Sequence, residues 1–185
     1  MAELFWQFLI YSFLGFLLEV VFARITHSNK LDRKCLILFP LCPVYGLGAL
    51  AIVHLPAAVQ SRPLLLLLLG ALAATLVEYG MDWLYETFLK VRFWDYSALP
   101  WNLNGRVCLL FSGFWGLLAL SLVAWVHPWV NRLISVIPYS WTFPVLLMFL
   151  ADALLSAWVL RTTGTTDSLR WYDRFRLAAK KKTNG

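Results

Sequence analysis

Residues 63–89 read PLLLLLLGALAATLVEYGMDWLYETFL, and this stretch decides the fold of the chain. It opens with six consecutive leucines behind Pro63, a residue that suits the first turn of a helix. The stretch is longer than the roughly 20 mostly apolar residues that an α-helix needs to span a bilayer. We therefore predict a transmembrane helix here.

The composition of the whole chain agrees with a membrane protein. Of 185 residues, 61% are hydrophobic and only 14% are charged. A soluble domain is roughly 45–50% apolar and about 25% charged. Only helices and closed barrels satisfy the backbone in lipid, and the apolar runs here are continuous rather than alternating, which excludes a barrel. The prediction is an all-α integral membrane protein.

Four further apolar stretches give a bundle of about five transmembrane helices. They cover residues 4–23, 36–53, 107–126 and 142–160. Pro40 and Pro43 interrupt the second segment early, and we expect His127-Pro128 to end the fourth. Residues 1–161 are predicted to form one membrane domain, and residues 162–185 a basic cytoplasmic tail.

The basic residues fix the expected orientation. Of the 16 lysines and arginines, all but Arg62 and Arg132 fall on one side of a five-span topology. Positively charged loops stay in the cytoplasm, so the N-terminus is predicted to lie outside and the C-terminus inside. The expected location is the bacterial cytoplasmic (inner) membrane, with several passes.

A polar loop joins the third and fourth predicted helices. Residues 93–106 read FWDYSALPWNLNGR and combine carboxylate, guanidinium, amide, hydroxyl and indole groups. Its aromatic residues indicate a loop folded against lipid headgroups or back into the protein. Pro100 disfavours helix at Leu99, and Gly105 permits a positive φ before the next helix. We predict a structured cytoplasmic loop, with re-entry into the membrane left open.

The predicted helices carry acids where lipid penalises them. Four charged residues spaced by four share one face of the third helix: Glu78, Asp82, Glu86 and Lys90. A carboxylate in hydrocarbon costs at least ~2.5–3.5 kcal/mol, so it normally faces the interior and has a partner. We expect Arg24 and Arg106 to be the partners. Glu19 and Glu78 either bind a cation, proton or headgroup, or they pair with arginines or accept helix hydrogen bonds and so lock the bundle.

Two other features leave alternatives open. Residues 39–48 read FPLCPVYGLG, which is either a broken helix end facing a substrate pocket or a kinked start with tight packing. Asp152 stands alone near the middle of the fifth segment, with Ser156 one turn on. A role in packing or in a dimer contact is as compatible with this position as chemistry is.

Several of these motifs together resemble the bacterial membrane family of ABC-transporter permeases, type IV (CmpB-like). The matching positions are Glu19 after the aromatic-rich run 11–18, the string 39–48, Glu78-Tyr79, Trp94-Asp95-Tyr96-Ser97, and Asn102 with Gly105-Arg106 and Cys108. The resemblance covers about residues 4–115 and implies a transport permease, whereas the fifth helix and the tail carry none of it. The family pattern often has an Arg-Gly before the second helix, where this chain has Lys34-Cys35-Leu36-Ile37.

These features predict a cytoplasm-facing intramembrane site that binds or moves a small polar or ionic solute. The protein would act with a cytoplasmic ATPase subunit or as a homo-oligomer. The expected substrate-binding residues are Glu19, Arg24, Cys42, Tyr45, Glu78, Glu86, Trp94, Asp95, Tyr96, Ser97, Asn102, Asn104 and Arg106. One alternative is a membrane-embedded enzyme or lipid-handling protein in which Asp95, Glu78 and Arg106 act on a headgroup at the inner leaflet. Another is a membrane assembly factor.

Other chemistries find little support in the sequence. The three cysteines and three histidines show no metal-ligand spacing, so neither a metal nor a cofactor is expected. No G-x-x-x-x-G-K phosphate loop occurs, so ATP hydrolysis would need another subunit. Leu169, Tyr172, Phe175 and Arg176 have roughly helical spacing, which predicts a short amphipathic helix in the tail. Its basic charge favours the anionic inner leaflet of the bilayer rather than nucleic acid.

Overall fold

The computed structural model of the chain describes residues 1–27 and 35–170. Five helices follow one another: α1 (Ala2–Ile25), α2 (Pro43–Val53), α3 (Pro63–Leu89), α4 (Leu109–Ser135) and α5 (Tyr139–Thr163). Two short strands, β1 (Asn102–Leu103) and β2 (Val107–Cys108), lie between α3 and α4. Single helical turns cover Ala57–Gln60 and Thr166–Leu169. Most of the predicted amphipathic helix in the tail lies outside the described residues.

Four of the helices, α1, α3, α4 and α5, are long and apolar enough to cross a membrane. The all-α membrane fold predicted from the sequence is thus confirmed. We call the end of the bundle where α3 ends and α4 begins the loop end, and the opposite end the far end. The indole of Trp6 donates a 3.0 Å hydrogen bond to Thr142, so α1 and α5 both start at the far end.

The second predicted segment is helical over only part of its length, which corrects the expected span at 36–53. Residues 35–42 form a bent, non-helical segment, and α2 begins at Pro43. Pro40 and Pro43 lack an N–H and cannot join a helical ladder there. Cys42 N–H donates to the carbonyl of Ser12, in the middle of α1, at 3.0 Å. Of the predicted span, the first part is therefore a bent segment and the rest is an 11-residue helix.

The fourth helix is longer than predicted, because His127-Pro128 does not end it. A π-helical turn at Leu122–Val126 precedes the proline, and α4 continues to Ser135. The wider turn leaves room for the proline ring and its missing N–H. The imidazole of His127 is held inside the bundle, 2.6 Å from the Tyr11 hydroxyl, and Asn131 accepts a 3.0 Å hydrogen bond from Gln7. Polar contacts thus tie the far ends of α1 and α4 together.

The core lies where α2 packs between α1 and α3, with α4 against α3. Its buried residues are Tyr11, Ala49, Ile52, Leu66, Ala74, Trp115, Ala119, Leu122 and Val130. Helix α5 joins the bundle separately, through Phe149 against Phe5 and Phe8. At the loop end Leu160 packs with Val91 and the fully buried Leu169. The start of the tail is therefore folded onto the loop end of the bundle.

Candidate functional site

A pocket of about 330 Å³ lies between α1, α2, α3, α4 and the loop that follows α3. Two carboxylates, those of Glu19 and Glu78, line it together with aromatic side chains. The aromatic residues are Tyr45, Trp94, Tyr96, Phe111 and Trp115, with Phe22, Phe93 and Phe114 further out. The volume falls within the range of about 300–1,000 Å³ that is usual for small-molecule sites. We call this cavity the inner pocket.

Glu78 is the best buried of the acids that line the inner pocket, with 5% of its surface exposed. The Tyr96 hydroxyl donates to its Oε1 and the Trp115 indole to its Oε2, each at 3.0 Å. Both carboxyl oxygens therefore accept a hydrogen bond. Both donors are neutral, and within the described part of the chain no lysine or arginine pairs with Glu78. The expected pairing of Glu78 with Arg106 is not formed.

Glu19 reaches the inner pocket from α1. The Tyr45 hydroxyl donates to its Oε1 at 2.8 Å, which links α1 to α2. This contact depends on Gly15, because a Cβ at that position would lie 2.2 Å from the Cβ of Tyr45. The Tyr45 ring also lies against Trp115, with ring centroids 5.0 Å apart. Tyr45 and Trp115 thus connect the two carboxylates through the wall of the pocket.

A cluster of ion pairs lies at the loop end of α3, beside the inner pocket. Asp82 is fully buried, and its Oδ2 lies 2.7 Å from Nη1 of Arg106 and 3.4 Å from Nη2 of Arg92. The second terminal nitrogen of Arg106 pairs with Glu86. The guanidinium also lies over the ring of Tyr79, 5.6 Å from its centroid. We call these residues the arginine clamp.

The loop is shaped by a tight turn at Asn104-Gly105. Both residues have positive φ, as in a type I′ turn, and Arg106 N–H donates to the Leu103 carbonyl at 3.0 Å. The turn joins β1 to β2 and aims Arg106 at α3. Asn-Gly is a strong hairpin signal, so the sequence contained this turn although the prediction used only Gly105. Whether the loop enters the membrane stays a prediction.

The remaining loop residues hold the hairpin in place. Tyr96 N–H donates to the Gly105 carbonyl at 2.8 Å, and the Trp94 indole donates to the Arg106 carbonyl at 2.9 Å. The Asn102 amide donates to the Leu99 carbonyl at 2.7 Å, and the Asn104 amide to the Tyr79 hydroxyl at 3.0 Å. These bonds position Tyr96 over Glu78.

Asp95 is exposed and lies on the outer side of the loop. It accepts hydrogen bonds from the hydroxyl and the backbone N–H of Ser97, and Arg92 Nη1 lies 3.8 Å away. The Ser97 hydrogen bonds, with a smaller contribution from the charge of Arg92, lower the pKa of the Asp95 carboxyl. Asp95 does not line the inner pocket, so a shared site with Glu78 is not formed.

The sequence suggested that Asp152 is isolated, but in the structure its carboxylate accepts several hydrogen bonds. Its Oδ2 accepts the N–H groups of Phe39 and Leu38 at 2.8 and 3.1 Å, and its Oδ1 accepts Leu38 N–H at 3.0 Å. Ser156 accepts the N–H of Ile37 at 2.9 Å. This carboxylate, 1% exposed, supplies the acceptors that the non-helical segment 35–42 lacks. No pattern in the sequence indicated which backbone groups this carboxylate would bind.

The predicted substrate-binding residues divide into three groups. Those that line the inner pocket are Glu19, Cys42, Tyr45, Glu78, Trp94 and Tyr96. Those that form the arginine clamp or the loop around it are Glu86, Asp95, Ser97, Asn102, Asn104 and Arg106. Arg24 is exposed in the last turn of α1 and lines neither. The prediction missed Asp82 as the centre of the clamp, together with Arg92 and Trp115.

The fold and the site define a multi-pass helical membrane protein with a pocket between its helices that two acidic side chains line. The model of a family described as "Putative ABC-transporter type IV" matches residues 6–157, and the chain belongs to that family. The match continues into α5, so the expectation that the fifth helix carries no family resemblance is wrong. Comparisons with curated proteins and with solved structures give no match.

Proposed function

We propose that this protein is the membrane subunit of a transporter and that the inner pocket holds the solute. The observation that carries the proposal is the buried Glu78, whose oxygens are oriented by neutral donors beside a cavity of about 330 Å³. Ionisable groups at membrane depth are costly, and they commonly mark the path or binding site of a transported solute. The break before α2 also lies beside this cavity, since Cys42 and Tyr45 line it.

The family name supports a separate ATPase as the energy source, because ABC transporters couple transport to ATP hydrolysis. The loop hairpin offers a docking surface for such a subunit. Trp101 is 82% exposed and Leu103 58% exposed at the hairpin. Exposed apolar residues outside the spanning helices are typical of contact surfaces. We propose that this end lies in the cytoplasm of a bacterium, because most of the described lysines and arginines lie there, and that the N-terminus lies outside.

The test is purification from the native membrane in mild detergent, with mass spectrometry of everything that remains bound. We expect a stoichiometric ATPase subunit that is lost from Trp101→Ala and retained by Trp141→Ala, an exposed tryptophan at the far end. We also expect a small solute that is lost from Glu78→Gln and retained by Glu3→Gln. Glu3 undergoes the same change in charge but does not line the inner pocket.

A second function is favoured by the composition of the pocket rim. Every lining residue that is exposed is apolar, which suits a lipid-handling protein or an enzyme acting on a lipid headgroup. A homo-oligomer that retains a defined lipid, without any ATPase, would establish this alternative and overturn the transporter proposal.

A further inference from the structure

The rim of the inner pocket is apolar and lies on two helices that face the surroundings. The exposed lining residues are Leu18, Val21, Phe22 and Ile25 of α1 and Phe114 and Leu117 of α4. All of them belong to helices that are long and apolar enough to span a membrane. In a bilayer these side chains contact lipid chains, so the pocket opens sideways between α1 and α4. A ligand that enters here must have an apolar body.

The floor of the same pocket carries Glu78, a buried carboxyl group that pairs with no lysine or arginine of the described residues. Glu78 accepts from Tyr96 and Trp115, neither of which is charged. Two arginines of the described residues, Arg92 and Arg106, are bound to Asp82 on the next turn of α3. A buried carboxylate without a cation costs free energy, which a cationic ligand would recover. The floor therefore favours a ligand with one positive charge.

The walls between rim and floor are aromatic. Tyr45, Trp94, Tyr96, Phe111 and Trp115 line the cavity, with Tyr96 stacked on Phe111 at a centroid distance of 4.7 Å. Aromatic rings attract ammonium groups through their π faces, most strongly where water is excluded. Aromatic walls around a carboxylate suit an alkylated ammonium better than a strongly hydrated metal ion.

We propose that the inner pocket binds a monovalent organic cation with an apolar body, an alkyl- or arylammonium group, which enters from the lipid side. This inference rests on the proposed function of the pocket as a binding site and names the chemical class of its ligand. The ammonium group would lie beside Glu78, with the apolar body toward the rim. Its source is either a free amine or the amino headgroup of a membrane lipid.

The test compares two probes of the same shape that differ in charge. Benzyltrimethylammonium carries the positive charge, and 2,2-dimethylpropylbenzene has carbon in place of nitrogen and is neutral. Binding of each to the full-length protein in neutral detergent micelles is measured by isothermal titration calorimetry. We expect the cation to bind at least about tenfold more tightly than the neutral probe. Glu78→Gln should remove this preference, whereas Glu3→Gln should retain it.

The source of the cation is tested by competition. Added phosphatidylethanolamine, but not phosphatidylglycerol, should displace the probe if a lipid amine is the ligand, and neither should displace it if the ligand is a free amine. Equal binding of the two probes, or a preference for the cation that survives in Glu78→Gln, would overturn the inference. If the wild-type protein binds the two probes equally and Glu78→Gln binds neither, the pocket is still a binding site. In that case only its preference for a cation is rejected.

Discussion

At the scale of single residues, Gly15 sets how closely α1 and α2 approach beside the inner pocket. A methyl group there would lie 2.2 Å from Tyr45 Cβ, a backbone-proximal atom that moves only if α2 moves. We expect Gly15→Ala to lower the free energy of unfolding by about 1–3 kcal/mol through overpacking. The measurement is SDS titration of the protein in neutral detergent micelles.

The matched control for this change is Gly113→Ala in α4, where a Cβ meets nothing within 4 Å. Because alanine favours helix over glycine, that variant should be neutral or stabilised by up to about 1 kcal/mol. If the two variants lose similar free energies of unfolding, the contact with Tyr45 does not restrict the size of the side chain at position 15.

Ser97 controls the titration of Asp95. Because its hydroxyl and backbone N–H lower the pKa of the Asp95 carboxyl, Ser97→Ala should raise that pKa toward its ordinary value. The native interaction stabilises the fold above the unfolded-state pKa, near pH 4, and is lost as the pH falls through the lower folded-state pKa. Carbon-13 NMR of the aspartate carboxyl groups measures the shift. An unchanged pKa would contradict the hydrogen bond from the hydroxyl.

Single residues were predictable from the sequence where position alone decides the outcome. Glu78 and Glu19 were expected at one site because their depths in two helices agree, and both line the inner pocket. Their partners were not predictable. Trp115 meets Glu78 only because α4 packs on α3 in one particular rotation, and no spacing along the chain expresses that rotation.

At the scale of elements, the arginine clamp fixes the loop on α3. Arg106→Gln removes the cation that lies 2.7 Å from the fully buried Asp82 and leaves only Arg92, at 3.4 Å. Removing one partner of a buried ion pair is strongly destabilising, so we expect a loss of about 3 kcal/mol in SDS titration.

The control is Arg132→Gln, which removes an exposed arginine at the far end. It should change the free energy of unfolding by less than about 0.5 kcal/mol. If Arg106→Gln costs no more than this control, the clamp does not hold the loop.

The segment before α2 depends on one carboxylate of α5. Asp152→Ala would leave the N–H groups of Leu38 and Phe39 without that acceptor, at a cost of about 1–3 kcal/mol each. Asp152→Asn keeps one acceptor oxygen and the side-chain shape, so it should lose less. Free energies of unfolding of the two variants test this order. Equal losses would mean that the charge, rather than the hydrogen bonds, holds the segment.

Element boundaries followed the hydrophobic pattern closely in α3 and α5. The ends of α3 and α5 lie within three residues of the predicted ones, although α3 closes with a π-helical turn at Tyr85–Leu89. The starts and ends that differ involve proline, at Pro43 and Pro128. Whether a helix starts at, ends at or continues through each proline depends on contacts with other helices or on a π turn. A local sequence pattern contains neither.

At the scale of the whole molecule, the topology makes a prediction about the two faces of the membrane. The loop end of the described chain carries most of the basic residues, so we expect Ala98→Cys to face the cytoplasm and Ser140→Cys to face outside. A membrane-impermeant maleimide should label Ser140→Cys in intact spheroplasts and Ala98→Cys only after permeabilisation.

The unmodified protein gives the background for this labelling, because its three cysteines are buried. The reverse pattern of labelling would mean that the orientation in the membrane is opposite to the predicted one. The surface proposed to bind the ATPase would then lie outside the cell.

The membrane class of the molecule was predictable because composition alone determines it. The route of the chain between α1 and α3 was not predictable, since half of its described part is non-helical. A hydropathy pattern records that residues 36–53 are apolar, but not whether their backbone groups bond to one another or to side chains elsewhere.

The dependence of Leu38 and Phe39 on Asp152 also has a consequence for biogenesis. The ribosome makes this segment early, whereas Asp152 belongs to the last spanning helix and emerges more than a hundred residues later. During that interval, the amides of Leu38 and Phe39 must stay with water or with the insertion machinery. The early part of the chain is therefore completed by the late part, and this membrane protein cannot be assembled one helix after another in simple order.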